Sequence, residues 1–285
     1  MTTFEGGDAP ILAGKLYAEP STFKPEALLR EARRQRGRPL SNVPKICVLD
    51  PDGDLVRRLR RDGAARLHEG WACYHTELLE FDVEGVGKLG IIGCAVGAPF
   101  AVLVAEQLFA SGCRLLVSVT SAGQIADRGP PPYYVLIDRA LRDEGTSYHY
   151  LPPSEFADGP TGLLAHVEAE TTRLDTIVRR GATWTTDAPY RETEAAIADA
   201  RAAGALAVEM EAAALYAFAA ARGEAVICFA HVTNMMAQDE GDFEKGEADG
   251  TVTTLAVIAA AARGWAAITS GNGPSPIAPA PALRD

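Results

Sequence analysis

Short apolar runs of strand length alternate along most of this chain with longer alanine-rich segments of helical period. That alternation leaves few architectures open, because each sheet face and each apolar helix stripe has to be buried against the other. The spacing predicts strands at Ile46–Leu49, Leu78–Val83, Leu89–Cys94, Leu115–Val119, Tyr134–Ile137 and Val226–Phe229. It predicts helices at Leu55–Arg61, Pro99–Ser111, Gly162–Arg173, Glu192–Ala203, Met210–Ala221 and Val252–Trp265. No repeat or internal linker divides residues 44–268, so one α/β domain is expected there. Residues 1–43 read as an N-terminal extension in which Pro20, Pro25 and Pro39 surround a basic helix, Glu26 to Arg36. Its Arg30, Arg33, Arg34 and Arg36 read as a solvated face, with a partner-subunit contact as the rival reading. Residues 269–285, rich in Pro, Ala, Gly and Ser, are expected to be disordered.

A net charge of −11 over 285 residues argues against binding along a nucleic-acid backbone, which needs a concentrated basic face. A small-molecule substrate is expected instead, and a local positive pocket could still take an anion. The five cysteines Cys47, Cys73, Cys94, Cys113 and Cys228 stand singly, without Cys-x-x-Cys spacing, and read as reduced packing residues. No metal site and no cofactor is expected. No apolar run of membrane-spanning length and no targeting leader is evident, so a cytoplasmic enzyme is the expectation.

The candidate chemistry lies where strands end. Asp50-Pro51-Asp52-Gly53-Asp54-Leu55-Val56-Arg57 combines a permissive glycine with a fixed cation, as an anion cradle requires, although alone it is also an ordinary turn. Gly93-Cys94-Ala95-Val96-Gly97-Ala98-Pro99 offers small residues where a ligand could lie against a helix start. Thr120-Ser121-Ala122-Gly123 reads as an oxyanion-binding or capping turn after a buried strand. Thr185-Thr186-Asp187-Ala188-Pro189-Tyr190-Arg191-Glu192-Thr193 brings an aromatic ring into a polar loop, and Tyr190 could stack on a heterocycle. In Val208-Glu209-Met210-Glu211-Ala212, two acids flank the start of an alanine-rich helix. Buried acids need donors, and the vicinal hydroxyls of a sugar would supply them. The competing reading is acids complementing a helix macrodipole.

Taken in order, these blocks resemble the nucleoside phosphorylase family that includes uridine phosphorylase, hexameric purine nucleoside phosphorylase and the methylthioadenosine nucleosidases. Arg142-Asp143-Glu144-Gly145-Thr146-Ser147-Tyr148-His149-Tyr150 adds a further block, and the likeness runs from about Val43 to Trp265. The resemblance implies a three-layer α/β/α fold around a mixed, distorted barrel-like sheet. It also implies a homo-oligomer, dimer-based and up to a hexamer, in which neighbours complete each pocket. It implies that Glu209, Met210 and Glu211 bind ribose. Gly53, Arg57 and Ser121 would bind phosphate, and Ala122, Gly123, Pro189, Tyr190 and Asn234 would line the base. Glu211, Arg57 and Asp54 are the expected catalytic residues.

The chain also departs from the family pattern. An arginine expected before the strand-end turn falls on Ser118, and another falls near Glu69. Exchanging a cation for an anion beside phosphate costs about 4 kcal/mol for close unit charges at a surface-like dielectric. After the strand at Val226–Phe229 the chain reads Ala230-His231-Val232-Thr233-Asn234, without the aspartate that protonates purines in relatives, which points to a pyrimidine-type or unusual base. His231 reads as a satisfied core histidine. The run Asp239, Glu240, Asp242, Glu244 and Lys245 reads as solvated, or as a loop that closes over the base. The expected reaction is cleavage of a ribonucleoside by inorganic phosphate, giving ribose 1-phosphate and free base. Hydrolysis with Asp52 or Asp54 as base and a catalytically weak nucleoside-binding module are the alternatives.

Overall fold

A computed structural model describes residues 9–236 and 240–269. The expected disordered tail from residue 270, and Asp239, lie outside the described residues. The elements in chain order are α1 (Pro25–Arg36), β1 (Ile46–Asp50), α2 (Asp54–Arg61), β2 (Ala65–Leu67), β3 (Leu79–Val83), β4 (Gly87–Gly93), α3 (Ala98–Ala110), β5 (Leu115–Gln124) and β6 (Tyr133–Asp143). There follow β7 (Phe156–Asp158), α4 (Thr161–Thr171), β8 (Val178–Thr186), α5 (Glu194–Ala202), β9 (Ala205–Glu209), α6 (Ala212–Arg222), β10 (Val226–Asn234) and α7 (Thr251–Thr269).

The strands form one mixed sheet in the order β10-β6-β8-β9-β5-β1-β4-β3-β2, and β10 also pairs with β5. That extra pairing closes β5, β10, β6, β8 and β9 into a barrel, while β1, β4, β3 and β2 continue outward from β5. Pairings β1–β4, β1–β5, β5–β10, β6–β8 and β8–β9 are parallel, whereas β5–β9 and β6–β10 are antiparallel. The barrel-like α/β architecture implied by the family resemblance is therefore present. One apolar cluster joins the sheet to α3 and α6, and a second joins it to α2, α4 and α7.

The strands are longer and more numerous than the periodicity suggests. Strands β8 and β9 are not among the expected elements, because Val178-Arg179-Arg180-Gly181 lacks apolar alternation and Ala205-Leu206-Ala207 is a short run between two expected helices. The supposed turn Thr120–Gly123 belongs to β5, since Thr120, Ser121 and Ala122 pair with Ala230, His231 and Val232. Partner strands supply the ladder bonds that local sequence cannot foresee.

Helix α1 buries Leu29 and Ala32 beside Ala72. Its Arg36 is exposed, as expected of a solvated face, and also donates to the Cys73 carbonyl at 2.8 Å and the Tyr74 carbonyl at 3.0 Å. The segment Glu247–Thr269 is long and apolar enough to cross a membrane, contrary to the sequence expectation. It packs on α4, with Val257, Ile258, Ala261 and Ala262 buried in the second cluster.

Candidate functional site

The ends of β1, β5, β9 and β10 converge on two adjoining groups of polar side chains. The first grows from the loop after β1. Gly53 adopts φ +75°, and a Cβ there would lie 2.7 Å from Cys94 Sγ and 2.9 Å from Arg57 Nη1, so only glycine fits. Asp50 is buried and accepts a hydrogen bond from the Val56 amide at 2.9 Å; burial pushes its carboxyl up to about 6. Asp52 accepts from both the Ser121 amide, 3.2 Å, and the Ser121 hydroxyl, 2.9 Å. Asp54 pairs with Arg57 and with Lys245. Burial raises the Asp54 carboxyl, but Lys245 and Arg57 outweigh it and hold it below the usual carboxylate range.

Lys245 comes from the loop between β10 and α7, and it also stands 3.6 Å from Asp52. Its side chain is only 27% exposed, so this part of the charged run is not solvated. The loop is tied down by the Glu244 amide donating to the Thr233 carbonyl at 2.7 Å. Lys245 was missed because an isolated lysine among acids carries no local signal of where it folds back. Ser118, which occupies an expected arginine position, is buried with an unpartnered Oγ, and Glu69 is exposed.

The second group is the acidic pair. Glu209, at the end of β9, accepts from Thr183 Oγ1 at 3.1 Å, from Thr185 Oγ1, and from the amides of Glu211 and Ala212, each at 2.7 Å. It caps the start of α6, so its acceptors are taken by protein donors rather than held open for the sugar expected from the sequence. Burial still raises its carboxyl, against the pull of those donors. Glu211 is 1% exposed; its Oε1 accepts from the Gly97 amide at 2.7 Å and its Oε2 has no partner. Burial, then the Glu209 charge, push the Glu211 carboxyl up to about 8. Four donors converge on Glu209 and one on Glu211, an arrangement that favours the shared proton on Glu211. Met210 between them is half-buried.

The expected base-side residues divide. Gly123 lies against Asn234 and Met236, where a Cβ would come within 2.5 Å of Met236 Sδ. Asn234 is buried; its Nδ2 donates to the Ala122 carbonyl at 3.4 Å and its Oδ1 accepts from the Met236 amide at 3.0 Å. Pro189 is half-buried, but Tyr190 is 100% exposed on a short 3-10 turn, with no ring stacked on it among the described residues. His231 is buried and stacks on Tyr134 with centroids 4.4 Å apart and planes 5° from parallel. Its Nε2 has no partner, so it is not the satisfied core histidine that the sequence suggested. Burial pushes its pKa down to about 4. A cavity of about 20 Å³ is bounded by Asp50, Asp52, Asp54, Ser121, His231 and Thr254, among others. Among the described residues, no three His, Cys, Asp or Glu side chains are grouped to hold a metal ion.

The family model described as "Phosphorylase superfamily" matches residues 45–269. The fold is similar to that of uridine phosphorylase from Vibrio fischeri ES114, solved with 6-hydroxy-1-naphthoic acid: TM-score 0.64, 19% identity, 80% of this chain and 93% of that one covered. It is similar also to purine nucleoside phosphorylase from Toxoplasma gondii in complex with immucillin-H: TM-score 0.66, 14% identity, with the same coverage of 80% and 93%. Comparison with curated protein sequences gives no match.

Proposed function

Since the chain belongs to the phosphorylase superfamily, we propose that it cleaves the N-glycosidic bond of a ribonucleoside, with water as the acceptor that its anion pocket favours. The observation that carries this reading is Asp52, whose carboxylate already occupies both Ser121 donors that an incoming phosphate would need. Arg57 and Lys245 are likewise engaged by Asp54. A phosphate would have to displace these carboxylates and then lie beside them, at about 4 kcal/mol per close unit charge. Water meets no such opposition.

In this reading Glu211 holds the ribose hydroxyls, with its buried, unpartnered Oε2 as the group that a hydroxyl would satisfy, and Met210 packs on the sugar. The C1′–N bond breaks toward an oxocarbenium-like centre, and its electron pair leaves with the base. Water forms the new C1′–O bond and gives its proton to Asp52. Positioning and fixed charge supply the acceleration, since no covalent nucleophile is required. The Asn234 amide, held by the protein only at 3.2 Å and 3.4 Å, suits a carbonyl-bearing, pyrimidine-type base.

Phosphate is the second reading, favoured by the Gly53–Arg57 cradle and by Lys245, a cation that stands in for one of the missing arginines. A nucleoside panel incubated with and without inorganic phosphate separates the two. Free ribose and base released in phosphate-free buffer are expected. Release that begins only when phosphate is added, with ribose 1-phosphate as product, would sink the water reading and establish the other. Absence of turnover on every nucleoside would defeat both.

A further inference from the structure

His231 is a buried group at the site that the reaction as described leaves without a task. In the parallel ladder between β5 and β10 it is paired with Ser121, and Ser121 holds Asp52. That register brings the imidazole and the Asp52 carboxylate to one cavity of about 20 Å³. Such a volume admits one water molecule and little else, and a buried water needs two to four polar partners. The cavity wall offers carboxylate, hydroxyl and imidazole groups, so the partners exist.

The ring is also fixed in place. Tyr134 stacks on one face of it, and the Tyr134 hydroxyl is bonded to Thr253 and Thr254 at 2.9 Å and 2.8 Å. Gly250 closes the edge: a Cβ there would fall 2.4 Å from His231 Cε1. Packing of this kind explains a buried aromatic ring. It does not explain an imidazole whose Nε2 is buried without a partner on a cavity wall with four aspartates, where phenylalanine would stack equally well.

We propose that His231 is a positioning residue for hydrolysis, holding the attacking water together with Asp52 in this cavity. The proposal rests on the reading of water as acceptor. One water hydrogen points to the Asp52 carboxylate and the other to an unprotonated ring nitrogen of His231, which leaves an oxygen lone pair for C1′. As the C1′–O bond forms and the C1′–N bond breaks, the proton passes to Asp52 and the electron pair departs with the base, which takes its proton from solvent. The charged groups facing His231 are Asp52, Asp54 and Lys245, with Asp50 and Asp249 on the same cavity wall. With its pKa down at about 4, the ring is neutral at pH 7 and can accept a hydrogen bond.

The test measures full-length protein with uridine and inosine as probe nucleosides in phosphate-free buffer, with and without methanol as a competing acceptor. The unmodified protein is expected to form ribose and almost no methyl riboside, because the cavity admits water only. His231→Ala is expected to lose on the order of 100-fold in kcat with little change in KM, since positioning rather than binding is removed. It should also form methyl riboside, because the enlarged cavity accepts methanol. His231→Phe keeps the stack on Tyr134, so it should fold and lose kcat equally, yet still exclude methanol. Full kcat in the Phe variant would show that the ring serves packing alone and would overturn the assignment. So would ready methanol transfer by the unmodified protein, which needs no variant. If the protein hydrolyses nucleosides but both variants match it, only the role of His231 falls. If it turns over only with phosphate, the water reading falls and takes this role with it.

Discussion

Replacing Glu211 by glutamine should make the protein more stable and less active, and the balance between the two should depend on pH. Glu211 is 1% exposed and its carboxyl is pushed from 4.5 up to about 8, first by burial and then by Glu209. The native state therefore holds a proton there that the unfolded chain has already lost. Stability from this group is fully present below pH 4.5, falls as pH rises through the window, and levels off above about 8. The full linkage of such a shift is about 5 kcal/mol at 1.36 kcal/mol per unit; relaxation and water entry reduce this to on the order of 2 kcal/mol. Glutamine keeps the acceptor for the Gly97 amide, bonded at 2.7 Å, and has no proton to lose. The variant should match the parent near pH 5 and exceed it in unfolding free energy by about 2 kcal/mol at pH 8.5, a rise in Tm of roughly 4–8 °C. Activity should fall roughly 3- to 10-fold at pH 7, because one neutral hydrogen bond to a sugar hydroxyl contributes about 0.5–1.5 kcal/mol. Urea unfolding at several pH values, with base release measured on the same samples, tests both halves. An unchanged stability difference between pH 5 and pH 8.5 would show that Glu211 does not carry the proton. A fully active variant would show that it does not hold the sugar.

Thr185→Val removes one donor to Glu209 and the acceptor of the Ala213 amide at 3.0 Å, leaving buried groups unpaired. A loss of about 2 kcal/mol in denaturant unfolding is expected, with a shifted start to α6. Gly250→Ala places a Cβ at φ +70°, 2.4 Å from His231 Cε1 and 2.5 Å from the Lys245 carbonyl. Strain and overpacking together should cost roughly 2–4 kcal/mol, seen as a lower Tm, and kcat should drop with it because His231 and Lys245 both shift.

Much of this molecule is legible without coordinates where the signal is local. The apolar runs at Ile46–Leu49 and Leu115–Val119 are buried core strands, as their composition demands. The Asp50–Arg57 loop turns at Gly53 as expected, and Glu211 is buried at the start of its helix. The signal fails where pairing decides. Thr120–Gly123 reads as a turn until β10 and β9 are laid beside it, and Thr185 and Thr186 read as part of a loop until β6 and β9 flank the strand that they end. Tyr190 has the chemistry to stack on a base, but its 3-10 turn presents it to solvent.

Sequence alone determined the layered α/β plan and the presence of two adjacent acids and an aspartate-rich glycine loop, because hydrophobic period and residue type are properties of a segment. Tertiary structure alone decided on which acid the donors gather, that Asp52 fills the donors of Ser121, and that Lys245 and His231 join them. Those outcomes depend on strand register and on donors brought from distant parts of the chain, as Thr183 and Thr185 are brought to Glu209 and Gly97 to Glu211. Charge, burial and hydrogen bonding at a site are set by such neighbours, and neighbours in space are what a linear pattern does not specify.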